Sequence, residues 1–187
     1  MPRVFIAVDF PPRLKERIAN MCFGLRGARW VPMEQMHLTL RFVGEVDEPQ
    51  FEEIADALHG VEAERFRLFL KGCGFFPPRR SPKTLWVGVH RNPSLLQLHE
   101  KIESALESIG IMREKRRFHP HVTIARFKHI ITSTDVMGFV KANSLFTSMP
   151  VTVDSFHLYS SKLHRDGAVH TREESYSLWG PEDMPSC

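Results

Sequence analysis

Apolar positions along the 187-residue chain fall into strand-like and helix-like rhythms that run through the same order twice. Val4-Phe5-Ile6-Ala7-Val8 is a continuous apolar run, the pattern of a buried strand, closed by Asp9 and Pro11-Pro12. Leu14, Ile18, Met21, Cys22 and Leu25 then recur at helical spacing, with Pro12 suited to the first turn and Gly24 near the end. Residues 36–43 alternate as a strand, and Phe51, Ile54, Ala55 and Leu58 form a helical face after Asp47 and Pro49. Residues 66–70 alternate again, and 72–82 read as a Gly/Pro/Arg loop with one short strand. From Thr84 the series restarts. Thr84–Val89 is a strand, Leu95, Leu98, Ile102, Leu106 and Ile109 make a helical stripe closed by Gly110, and His121–Phe127 is a strand. A helix is predicted over 134–143, from Val136, Phe139 and Val140, and 151–159 and 168–178 pair as a hairpin around Asp166-Gly167.

From the first strand to the His of the next strand is 32 residues in the first half (37 − 5) and 36 in the second (121 − 85). Matching order, element type and spacing imply an internal duplication, with halves of roughly 1–80 and 81–187 and a seam near 72–83. The expected fold class is α+β: a bilobal molecule with two antiparallel sheets and outer helices around a central cleft. An approximate two-fold axis would bring the matching strands together across that cleft. Neither half is expected to work alone, so 1–187 is taken as a single bilobal catalytic domain.

Candidate chemistry sits on the matching strands. His37-Leu38-Thr39-Leu40 returns as His121-Val122-Thr123-Ile124, eighty-four positions later (121 − 37). Strand side chains alternate between faces, so His and Thr of each phrase share one face. With 10 His in the chain, one His-x-Thr would mean little; two copies at matching positions mark a site. One imidazole can hold a proton while the other lacks it, and the hydroxyls can hydrogen-bond phosphoryl oxygens. Alternation adds Arg41 to the face of His37 and Thr39, with Met36, Leu38, Leu40 and Phe42 opposite. On the second strand it groups Ala125 with His121 and Thr123. Arg126 then points away unless the strand bulges there, and it is kept as a candidate.

His119 and His121 could ligate one ion at i, i+2, but further ligands would be needed and Arg41 is an unfavourable neighbour, so no metal is expected. His59, His90, His99, His129, His157, His164 and His170 lack partnered spacing and read as surface or helix-edge residues. Trp30, Trp86 and Phe75-Phe76 read as core, with the option that one exposed ring stacks on a base. Ser160-Ser161 lacks a nucleophile-elbow context, and no Gly-rich phosphate loop is present. A 42% hydrophobic share can fill a core without staples, and three scattered cysteines (Cys22, Cys73, Cys187) point to a reducing cytoplasm. The opening apolar run is too short for a signal peptide, and no stretch nears the roughly 18 apolar residues of a membrane span. A net charge of +3 is mild, but Arg79-Arg80 and Arg113-Glu114-Lys115-Arg116-Arg117 are local basic clusters, and the second directly precedes the second His/Thr phrase.

The chain resembles the two-histidine phosphoesterase superfamily, and within it the RNA 2′,3′-cyclic phosphodiesterases once named 2′-5′ RNA ligases. The resemblance runs over nearly the whole chain. It is carried by the opening strand at 4–10, the two blocks at 36–45 and 118–126, and the connecting segments at 74–77, 82–88 and 156–163. One departure is His170, after the hairpin turn, where members often carry Tyr. The resemblance implies hydrolysis of a 2′,3′-cyclic phosphate at an RNA end to a 2′-phosphate, without metal; no cofactor is expected, and a monomer is expected. His121 would be the proton acceptor and His37 the donor, although the near-symmetry of the residues leaves that order open. Thr39 and Thr123 would hold the non-bridging oxygens, with Arg41 or Arg126 offsetting charge on the pentavalent phosphorus. Weak reverse 2′-5′ ligation is the corollary. The rivals are an ADP-ribose 1″,2″-cyclic phosphate phosphodiesterase and a non-catalytic RNA-end-binding module.

Overall fold

The structure, a computed structural model, describes residues 1–77, 81–128, 131–164 and 167–180; Arg79, Arg80, His129, Asp166, Cys187 and the His164 side chain lie outside what is described. The elements in chain order are β1 (Arg3–Val8), α1 (Pro12–Ala19), β2 (Ala28–Trp30), a 3-10 turn (Met33–Gln35), β3 (Leu38–Glu45), α2 (Glu48–His59), β4 (Phe66–Leu68) and β5 (Leu70–Phe76). They continue with β6 (Thr84–Val89), α3 (Pro93–Ser108), β7 (His121–Phe127), α4 (Ser133–Ala142), β8 (Val151–Val153), β9 (Ser155–His164) and β10 (Gly167–Ser177). Polar caps start three helices: Asp47, Asn92 and Thr132 accept from the backbone N–H three residues on.

The strands run β10-β9-β1-β3-β7-β6-β5, with β2 also on β7, while β4 and β8 form a separate pair. At the centre, β3 and β7 share one residue pair, Leu38 with Val122. The two antiparallel sheets anticipated from the sequence thus meet edge to edge at a narrow seam. Each half of the sequence ends by crossing over: β5 pairs with β6 of the second half, and β9 pairs with β1 of the first. Each half-sheet therefore takes strands from both halves of the chain, and removing either half would leave the other with unpaired edges.

Two elements differ from their sequence patterns. The first helix stops at Ala19, and Met21 and Leu25 pack from a turn-rich segment with Gly24 and Gly27 at positive φ. The expected single strand at 66–70 divides at Phe69, and β5 runs on to Phe76, so half of the anticipated loop is ladder against β6.

Val4, Ile6 and Val8 of β1 join Leu38, Leu40, Val122 and Ile124 in the main core, against Ile18, Ile54, Leu98 and Ile102 of the helices. Phe5 and Ala7, on the other face of β1, form a second buried cluster with Tyr159. Burial on both faces explains the unbroken apolar run at 4–8. Among the described residues no helix is long and apolar enough to cross a membrane.

Candidate active site at the sheet seam

The seam brings the two His/Thr phrases together. Leu38 and Val122 are fully buried, so the residues on either side of each point to the opposite, cleft-facing surface. The antiparallel register sets Thr39 beside His121 and His37 beside Thr123.

A matching β-bulge follows in each strand. In β3, Thr39 pairs with Ala7 and Arg41 with Ile6, leaving Leu40 as the extra residue. In β7, Thr123 pairs with Trp86 and Ala125 with Leu85, leaving Ile124 as the extra residue. Each bulge shifts the alternation by one position. Arg41 consequently turns away from the cleft, correcting its assignment to the face of His37. It is 8% exposed, with Nε 3.1 Å from Glu103 Oε1 of α3 and Nη2 donating to the Met112 carbonyl at 2.6 Å. Ala125, its counterpart in β7, is likewise in the core. The same shift brings Arg126 onto the cleft face, and at the corresponding place in β3 it exposes Phe42, 53% accessible, beside Phe5.

Both histidines are held alike. Nδ1 of His37 lies 2.7 Å from the Gln35 carbonyl, and Nδ1 of His121 lies 2.6 Å from the His119 carbonyl. A carbonyl can only accept, so each Nδ1 carries the hydrogen and each Nε2 is left for proton transfer. Aromatic walls fix the rings. His37 stacks on Phe5 at 4.9 Å and Tyr159 at 6.1 Å, with His170 edge-on at 5.5 Å. His121 lies edge-on to Phe76 at 5.2 Å and 6.1 Å from Trp86. Gly74, opposite Trp86 on β5, leaves room for the indole, since a Cβ there would overlap the ring. Trp86 and Phe76 thus serve as site walls as well as packing, and His170 belongs to the cleft, not the outer surface. His157 is also buried, with Nδ1 2.9 Å from Ser175 Oγ. Trp30 packs on the core side, against Phe139.

Burial is the main cause of the low pKa of His37, pushed down to about 4; His170 and Lys15 act in the same direction, against the Gln35 carbonyl and Asp9. Burial also lowers His121, as do His119 and Arg126, while its bond to the His119 carbonyl works the other way. Burial tends to raise Asp9, but its 2.6 Å ion pair with Lys15, the Phe10 N–H and Arg172 hold its carboxyl below the usual range. Arg172 in turn lies over the Tyr159 ring, 5.9 Å from its centroid. Among the described residues no group of three or more His, Cys, Asp or Glu side chains is placed to hold a metal ion.

A stability consequence follows from His37. Its folded-state pKa lies below the unfolded value of about 6.5, so the unfolded chain binds more protons between these pH values and stability falls as pH drops through that window. Thermal melts from pH 7 to pH 4 should show a steepening loss of Tm that His37→Gln reduces. An unchanged slope in the variant would contradict the buried, neutral imidazole.

Residues 10–165 match the family model described as the 2′-5′ RNA ligase superfamily. The chain belongs to that superfamily. Within it, the chain is 37% identical over 165 residues to an RNA 2′,3′-cyclic phosphodiesterase of Aeropyrum pernix, covering 84% of this chain and 89% of that protein. It is 35% identical over 176 residues to a protein of the same name from Thermotoga maritima, covering 90% of this chain and 91% of the relative. Among solved structures, the protein TT0787 of Thermus thermophilus superposes with a TM-score of 0.81 at 27% identity, over 96% of this chain and 99% of that one. The fold is therefore shared over 96% of the chain, and the α+β class with paired antiparallel sheets agrees with it.

Proposed function

We propose that this protein is an RNA 2′,3′-cyclic phosphodiesterase, a cytoplasmic monomer that opens the terminal cyclic phosphate to a 2′-phosphate. The observation that carries this is the pair of histidines on one seam, each with Nδ1 tied to the carbonyl two residues back and Nε2 left for the substrate. The enzyme relatives bear the same activity in their names. In the proposed mechanism, His121 Nε2 takes a proton from water as the water oxygen bonds to phosphorus. The P–O3′ bond breaks, and protonated His37 delivers its Nε2 proton to the departing oxygen. Thr39 and Thr123 hold the non-bridging oxygens, and Arg126 offsets the charge that accumulates there. Asp9 works toward the His37 imidazolium, but burial outweighs it and lowers His37 to about 4, while Arg126 acts with burial to lower His121. Both imidazoles are lowered in the free protein, so the phosphate anion itself must supply part of the charge that protonates His37. With an RNA 5′-hydroxyl in place of water, the same site would form a 2′-5′ link, the reverse of 2′-5′ cleavage, and this ligation should be weak.

The test is incubation with nucleoside 2′,3′-cyclic phosphates in EDTA, with identification of the product isomer. Turnover to the 2′-phosphate is expected. Activity lost in EDTA and restored by zinc or manganese would overturn the metal-independent mechanism. A 3′-phosphate would reverse the roles of His37 and His121. Turnover of ADP-ribose 1″,2″-cyclic phosphate alone would change the substrate, and RNA-end binding without turnover would make the protein a recognition module.

A further inference from the structure

The register of the seam continues past the histidines. β2 lies on the same side of β7 as β3, and the Val31 N–H donates to the Ile124 carbonyl at 2.9 Å. Trp30 then pairs with Ala125 and Arg29 with Arg126. Trp30 packs against the core and Ala125 is fully buried, so Arg29 and Arg126 share the opposite, cleft-side face, and both are exposed. Three rows therefore follow one another along the seam: Thr39 with His121, His37 with Thr123, and Arg29 with Arg126. The far end differs, because the position matching Arg126 in β3 is Phe42.

We infer that Arg29, beside the Arg126 that serves the cyclic phosphate, forms a second phosphate subsite, which takes the 5′-phosphate of the nucleotide that carries the cyclic phosphate. This rests on the proposed cyclic phosphodiesterase reaction. The two guanidiniums stand two ladder positions from Thr123, roughly 7 Å along the strand, a span comparable with that between successive phosphates of an extended RNA strand. Guanidinium forks match phosphate oxygens two at a time. Across the cleft, Arg126 is near enough for its charge to lower the His170 pKa, which burial lowers most, and the buried His170 Nδ1 has no hydrogen-bond partner. With Phe42 at the matching position of β3 in place of a cation, the subsite also gives the bound strand a direction. Phosphate contacts carry no base information, so the preference should not depend on the base.

The experiment compares adenosine 2′,3′-cyclic phosphate with the same nucleotide bearing a 5′-phosphate. The wild-type protein should show a KM lower by about tenfold for the 5′-phosphorylated substrate, the scale of one charge-assisted contact. Arg29→Ala should erase that difference, leave kcat on both substrates within about twofold, and keep the wild-type Tm; Arg29→Lys should restore part of the difference. The preference should also shrink as salt is raised. Equal KM values in the wild type, or a loss in Arg29→Ala that is the same for both substrates, would overturn the subsite and leave the cyclic phosphodiesterase standing. If the wild type opened neither substrate, the phosphodiesterase proposal would fall first and the subsite with it.

Discussion

Replacing His37 or His121 by Ala should each lower kcat by roughly 10²–10⁴, the range for loss of a general acid or base, and the double variant should be little slower than either single one. The reason is geometric. In the proposed mechanism each Nε2 faces a substrate that the other also touches, so removal of either leaves a cleft that binds phosphate but moves only one of two protons. Residues acting as a unit give non-additive losses. Neither substitution should unfold the protein, because the Leu38–Val122 pair that joins the sheets is untouched, and relieving a buried imidazole removes a source of acid sensitivity. The measurement is steady-state turnover of a nucleoside 2′,3′-cyclic phosphate alongside a thermal melt. Near-wild-type turnover in one single variant would rule out a two-histidine mechanism.

Much of this site was legible because strict period-two alternation and an internal repeat reinforce each other. His37, Thr39, His121 and Thr123 follow from the repeat alone, and β7 begins and ends where the pattern placed it. The bulges were not legible. Leu40 and Ile124 are ordinary strand residues, and no Gly or Pro beside them marks the extra residue. The adjacent apolar pair Ile124-Ala125, both fully buried, is the one local sign that alternation slips there. Phe5, Tyr159, Trp86 and Phe76 escaped for another reason: a ring that walls a cleft and a ring that fills a core have the same hydrophobicity. His170 reaches His37 only through the pairing of β10 with β9 and β9 with β1, a long-range arrangement that local periodicity does not encode. The exchange of β5 and β9 between the halves belongs to the same class.

Arg41→Ala should cost stability, not catalysis, and should contrast with Arg126→Ala. Arg41 is buried against Glu103, itself 3% exposed, and also holds the Met112 carbonyl, at the start of the basic segment that leads into β7. Glu103 accepts from the Glu114 N–H at 3.1 Å, so the pair pins this segment to α3. Removing the guanidinium leaves a carboxylate in the interior without its cation, which typically costs about 3–5 kcal/mol. In a chain of this size that is a fall in Tm on the order of 10 °C. Replacing both partners by apolar residues, Arg41→Met with Glu103→Leu, should recover most of the loss, because the desolvation cost of both charges disappears together. Arg126→Ala, at an exposed cleft position, should leave Tm nearly unchanged and weaken turnover of the cyclic phosphate. Melting curves and kinetics on the three proteins separate the cases. An Arg41→Ala protein that melts like the wild type but has a raised KM would return Arg41 to the cleft, and the β3 bulge would then be wrong.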